Sequence, residues 1–120
     1  MESVKITIPG RPVPKKRPRT STRGGKIHVY TPLKTSKYEK MIKYIALDAS
    51  NGKSFFEDVE VNIKLFFKDR RFGDLDNYTK SILDGLQGIV FENDKQVAKL
   101  NIERYIDKEE RAEVEIKEVS

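Results

Sequence analysis

The sequence has no cysteine, no tryptophan, one histidine (His28) and two methionines among 120 residues. Without cysteine there are no disulfides, no thiolate nucleophile and no zinc site built on sulfur. A single histidine argues against a His-rich metal centre and against a Ser-His-Asp triad within one chain. No apolar run approaches the ~20 residues of a membrane span. The start, Met1-Glu2-Ser3-Val4-Lys5, lacks a signal-peptide pattern. The expectation is a soluble cytoplasmic protein with no membrane partner. A hydrophobic content of 37% suffices for one core, hence one domain over residues 1–120.

Charge is what the chain has in quantity. Charged residues make up 36% of it, with a net +5. Residues 1–47 hold 12 Lys/Arg and 2 Asp/Glu, a net of +10, while residues 48–120 hold 12 Lys/Arg and 17 Asp/Glu, a net of −5. A cationic leading segment joined to an acidic remainder fits a phosphate-binding surface beside a metal site. The cations concentrate between Arg11 and Lys26, a stretch broken by Pro12, Pro14, Pro18 and Gly24-Gly25. Such a segment cannot be a regular helix, so 11–26 is expected to be a basic loop or arm. Arg11, Lys15, Lys16, Arg17, Arg19, Arg23 and Lys26, with Arg70 and Arg71 of a later turn, are the candidate phosphate contacts. Such contacts position a nucleic-acid backbone without reading its sequence. Tyr30 and Phe72 are aromatic enough to stack on an exposed base, but core packing is the commoner use of both. His28 has no assigned role.

Periodicity predicts a mixed α/β (α+β) fold with four or five strands, mostly hairpin-linked, and two helices packed on the sheet. Val4 to Ile8 alternates and is stopped by Pro9-Gly10; Ile27 to Tyr30 is a short strand closed by Thr31-Pro32. Tyr38, Met41, Ile42, Ile45 and Ala49 mark a helix over 36–49, with Ser36 as N-cap and Glu39 as its capping-box partner. Asn51-Gly52 ends that helix. Val59, Val61, Ile63, Leu65 and Phe67 form the clearest strand. A second helix is expected over 75–87, with Gly88 at its C′ position. Strands over 97–105 and 112–116 follow, joined by a hairpin turn at Asp107-Lys108-Glu109-Glu110.

The acids of greatest interest gather around that second helix, in Gly73-Asp74-Leu75-Asp76-Asn77-Tyr78-Thr79-Lys80, then Asp84 and Asn93-Asp94. Clustered carboxylates repel unless a cation or proton relieves them, and hard divalent ions select oxygen ligands of this kind. At about 100° per residue, Asp76, Lys80 and Asp84 form one oblique stripe beside the apolar face. Asp74 is expected to fold back toward Asp76, and Asp94 to close the pocket from the next loop. A plainer reading exists: Asp76, Lys80 and Asp84 also spell an i, i+4 ion-pair ladder worth tenths of a kcal/mol per pair, and Asp74 or Asp76 suits a helix N-cap.

Asp74-Leu75-Asp76-Asn77, Lys80, Asp84-Gly85-Leu86-Gln87-Gly88 and Asn93-Asp94-Lys95-Gln96-Val97 resemble the signature of the RusA family of Holliday junction resolvases. The likeness is specific over about residues 59 to 105 and includes the Asp69-Arg70-Arg71 turn. It implies a homodimeric endonuclease, often prophage-borne, that binds four-way DNA junctions. Such an enzyme nicks two strands symmetrically with Mg²⁺ (Mn²⁺ substituting). By that resemblance Asp74, Asp76 and Asp94 are the metal-binding acids and Lys80 the essential lysine; Asp84 matches a further acidic position. Members often carry two adjacent acids where this chain has Asn93-Asp94. Two other readings stay open: a non-catalytic DNA-binding module with its acids paired to the arm, and a metal-dependent nuclease on flaps or other branched DNA.

Overall fold

A computed structural model describes residues 3–16, 19–30 and 32–119. Arg17 and Thr31 lie outside the described residues, as do the side chains of Arg19, Arg23 and Tyr30. In chain order the elements are β1 (Ser3–Pro9), β2 (Arg19–Arg23), β3 (Lys26–Tyr30), α1 (Leu33–Ser50), β4 (Val59–Phe67), α2 (Leu75–Leu86), a 3-10 turn (Asp94–Gln96), β5 (Val97–Ile106) and β6 (Arg111–Glu118). Four strands form one mixed sheet in the order β1-β6-β4-β5, and β2 and β3 form a separate two-stranded ribbon. The α+β class is the one expected. The described strands number six, because half of the expected arm is the ribbon, with Arg19 opposite Tyr30 and Arg23 opposite Lys26.

The sheet is built around β4. Its residues Val59, Val61, Ile63, Leu65 and Phe67 are all buried, while the intervening side chains face the open side. Strand β6 runs antiparallel to it and β5 parallel. A parallel neighbour needs a crossover rather than a tight turn, and α2 supplies it. This corrects the expected hairpin between the last two strands, since β4 lies between β5 and β6. The connection steps across the end of β4, where the Asp107 N–H donates to the Phe67 carbonyl at 2.8 Å. Alternation reports which face a strand buries but not which neighbour it takes.

Both helices lie against one face. Ile6 and Ile8 of β1, Ala112, Val114 and Ile116 of β6, and the β4 row pack against Tyr38, Ile42 and Ala46 of α1 and Tyr78, Ile82 and Leu86 of α2. Helix α1 starts at Leu33 after Pro32, not at Ser36, whose hydroxyl instead donates to the Leu33 carbonyl at 3.1 Å. Proline with its fixed φ enters a helix easily. The buried stripe is Thr35, Tyr38, Ile42, Ala46 and Ser50, and Ala49 is exposed. The stop at Asn51 (φ 54°) and Gly52 (φ 76°) is the one expected. Helix α2 ends at Leu86, and Gly88, at φ 85°, takes the left-handed position that glycine adopts without a Cβ clash. The helices touch closely at Gly85, where a Cβ would stand 2.8 Å from Cβ and Cγ2 of Ile42.

Candidate active site

The first turn of α2 is pinned from three sides. The Gly73 N–H donates to the hydroxyl of buried Tyr78 at 2.9 Å, which fixes the approach to Asp74. Tyr78 itself meets Phe67 edge-on, with ring centroids 5.3 Å apart. The Asn77 N–H donates to the Asp74 carbonyl at 3.2 Å, and the Lys15 N–H to the Asn77 carbonyl at 2.8 Å. Asp74 occupies the N-cap position, yet its carboxylate makes no capping hydrogen bond. Asp76 follows in the first turn, where the helix dipole favours negative charge.

Asp74, Asp76, Lys80 and Asp94 are all exposed, and none forms an ion pair within 4.0 Å among the described residues. The i, i+4 ladder suggested by the spacing is therefore not formed. Asp84 turns instead to Lys15, at 3.0 Å, and Lys15 also holds Glu39, at 2.8 Å. Asp94 opens the 3-10 turn along the flank of α2. Its pKa is raised by partial desolvation despite its exposure, and further by the charge of Asp84, with Lys80 opposing. Asp94 precedes β5 at the end of the sheet where β4 starts, whereas the first turn of α2 follows the end of β4. Among the described residues no three acids converge as a ready-made metal cluster. The donor chemistry nonetheless suits a hard cation, since every free donor is a carboxylate oxygen open to solvent.

Asn93, the departure from the acid pair, has a structural task. Its side chain accepts from the Lys95 N–H at 2.9 Å, and the Gln96 side-chain oxygen accepts from the Asn93 N–H at 3.1 Å. This capping box holds the turn that presents Asp94. Gln96 also donates to the carbonyls of Phe55 and Glu57, tying the turn to the segment that leads into β4.

The basic arm divides into a strap and a ribbon. In the strap Pro12 and Val13 are buried; the Ser81 hydroxyl donates to the Val13 carbonyl at 2.7 Å and the Thr35 hydroxyl to the Pro14 carbonyl at 3.1 Å. Arg11, expected on phosphate, bonds Glu110 at 2.5 Å, Asp69 at 3.1 Å and the Arg71 carbonyl. Lys15 is likewise engaged with Glu39 and Asp84. Both cations therefore serve the fold, and their pKa values are raised by these carboxylates against the lowering effect of burial. Lys16, Lys26, Arg70 and Arg71 are exposed. Arg19 and Arg23 sit on β2. Phe72 packs on Phe67 at 5.1 Å, and the Arg104 guanidinium lies 4.1 Å from its ring. Arg104 is not among the cations that the sequence singles out. It reaches the approach to α2 only through the parallel pairing of β5, which no local pattern reveals.

The family described as endodeoxyribonuclease RusA matches residues 9–117. The uncharacterized protein YqaN of Bacillus subtilis (strain 168) is 32% identical over 144 residues, covering 100% of this chain and 99% of that protein. The crossover junction endodeoxyribonuclease RusA of Aquifex aeolicus (strain VF5) is 27% identical over 109 residues, covering 90% of this chain and 85% of its own length. A family match running from the end of β1 to within β6, through both helices and every acid discussed, leaves one conclusion: the chain belongs to the RusA family of endodeoxyribonucleases.

Proposed function

We propose that this protein is a Mg²⁺-dependent endodeoxyribonuclease that resolves Holliday junctions in DNA recombination and repair. It would act as a homodimer, hydrolysing one phosphodiester in each of two symmetry-related strands. The observation that carries the reading is the set of free charges on α2 and its flank. In a family of endodeoxyribonucleases, this chain leaves Asp74, Asp76, Asp94 and Lys80 unpaired among the described residues while it neutralises the neighbouring Asp84 with Lys15. A fold that merely tolerated these acids would be expected to pair them with the Lys and Arg it has in excess.

Asp74, Asp76 and Asp94 would supply the carboxylates for the cation, with Mn²⁺ as a substitute for Mg²⁺, and would have to come together to hold it. Bound there, the ion supplies Lewis-acid polarisation of the phosphoryl group and a water of lowered pKa. The protein's own groups do the rest. Lys80 places its amine beside the site and would neutralise charge that builds on the phosphoryl oxygens. The three carboxylates, left alone, would repel a phosphate diester, which makes the reaction conditional on the cation. Lys16, Lys26, Arg70 and Arg71, with Arg17, Arg19 and Arg23, grip the backbone at a distance and set the register of the strand.

The expected outcome for Asp76→Asn is loss of cutting on a labelled four-way junction with Mg²⁺, with equal or tighter junction binding, because a negative charge near phosphate is removed. Retained cleavage by that variant would refute the site. A linear duplex and a flap in the same assay separate the alternatives. Cutting of flaps but not junctions would make this a different branched-DNA nuclease, and no cutting with any metal would leave a binding module.

A further inference from the structure

Strand β5 is an edge strand of ten residues, and among the described residues nothing pairs with its outer side. Its even-numbered residues register with the buried row of β4: Leu100 beside Val61, Ile102 beside Ile63, Arg104 beside Leu65, Ile106 beside Phe67. They therefore point to the helix-covered face, where Ile102 packs against the core while Leu100 and Ile106 stay open. Leu100 is 41% exposed and Ile106 50%. A long open edge that carries apolar side chains on its core face invites another strand, and proteins normally guard such an edge with proline, charge or a covering element. Strand β5 carries charge at Lys99, Glu103 and Arg104 but no proline and, among the described residues, no covering element on its outer side. Strand β1, at the opposite edge, is seven residues long and ends in Pro9.

The sequence of β5 indicates which strand fits. Lys99-Leu100-Asn101-Ile102-Glu103 is self-complementary about Asn101. Place a second copy antiparallel, with a twofold axis at Asn101. Lys99 then faces Glu103 of the other copy, twice, on the open side, and Leu100 faces Ile102, twice, on the core side. A twofold axis normal to the sheet keeps each side chain on its own face, so only even shifts are allowed. Moving the axis to Leu100 or Ile102 sets Lys99 against Asn101 or Tyr105 and loses both ion pairs. In the single chain these side chains are only loosely engaged: Lys99 lies 3.7 Å from Glu60, and exposed Glu103 accepts from the Tyr105 hydroxyl at 2.7 Å.

We propose that two copies of this chain join edge to edge through β5, centred on Asn101, to make one continuous eight-stranded sheet. This deepens the homodimer of the preceding section, on which it rests, by naming its surface and register. The chain has no cysteine, so Asn101→Cys introduces a single thiol on the axis, next to its own symmetry mate. Directly opposed residues of an antiparallel pair stand about 4.5–5.5 Å apart at Cα, within disulfide reach. Under mild oxidation that variant should run as a covalent dimer on a non-reducing gel, whereas Lys5→Cys, on the opposite edge, should not. In sedimentation, Lys99→Glu or Glu103→Lys alone should weaken dimerisation by roughly tenfold, from two ion pairs turned into like-charge pairs. The double swap Lys99→Glu with Glu103→Lys should restore it. That restoration also shows that neither single change acts by unfolding the chain. A dimer that ignores both swaps and leaves the Asn101→Cys variant uncrosslinked would overturn the β5 seam while sparing the homodimer. A monomer at every concentration would overturn both.

Discussion

Asp69 stands where three distant parts of the chain meet. Its carboxylate accepts from the Arg71 N–H at 2.9 Å and from Arg11 at 3.1 Å, and Arg11 carries the link on to Glu110. The Arg71 N–H, and then the Arg11 and Arg71 charges, hold its pKa below the ordinary value against the opposing effect of desolvation. A folded pKa below the unfolded one means that the carboxylate contributes stability above the unfolded value of about 4, and that this contribution fades as pH falls through the folded value. Asp69→Asn should therefore lower the urea midpoint at neutral pH and flatten its decline in acid. A variant whose midpoint tracks the parent at every pH would show that Arg11 is held by Glu110 alone. At this scale the sequence is a poor guide to partners. Arg11 and Lys15 are indistinguishable from Lys16 by composition or spacing. Only the docking of Val13 beneath Ser81 gives the first two internal carboxylates and leaves the third exposed.

Between elements, the tightest constraint is the crossing of α1 and α2. Gly85 lets the backbone of α2 approach Ile42, and the space a methyl would need is already taken by Cβ and Cγ2 of Ile42. Neither atom is the far end of a flexible side chain. Gly85→Ala gains up to ~1 kcal/mol in helix propensity but incurs an overpacking penalty of about 1–3 kcal/mol. The net expectation is a lower urea midpoint with an unchanged m-value. A stabilised variant would mean that α1 shifts freely. Element type was legible from periodicity for β1, β3, β4, β5, β6 and both helices. The start of α1 was not, because Pro32 begins the helix without any polar cap and Glu39 is drawn to Lys15. Nor was β2 legible, since Arg19-Thr20-Ser21-Thr22-Arg23 has no apolar alternation and becomes a strand only by pairing with Lys26–Tyr30.

Across the whole molecule, phosphate affinity should be read through salt. Each exposed cation that meets a phosphate contributes about one unit to the slope of log K against log salt. Lys16→Ala and Lys26→Ala should each reduce that slope by roughly one on junction DNA. Lys15→Ala should leave the slope unchanged and lower the melting temperature, because its partners are Glu39 and Asp84. A slope change for Lys15→Ala alone would reverse this division of the arm. The candidate site was legible as a set of residue types at specific spacings. Its geometry was not, because the distance from Asp94 to the first turn of α2 depends on how far the crossover carries the chain before β5 begins.

The strand order carries a consequence for synthesis. Within the sheet, β1 touches only β6, and β6 also separates it from β4. A ribosome that has delivered residues 3–106 has released an orphan first strand and a sheet lacking its inner member. The two halves can be stitched together only when residues 111–118 emerge, so closure of the core is a late, long-range event. Until then, hydrophobic Ile6 and Ile8 wait without their β6 partners, a window in which chaperone binding or misassociation competes with folding.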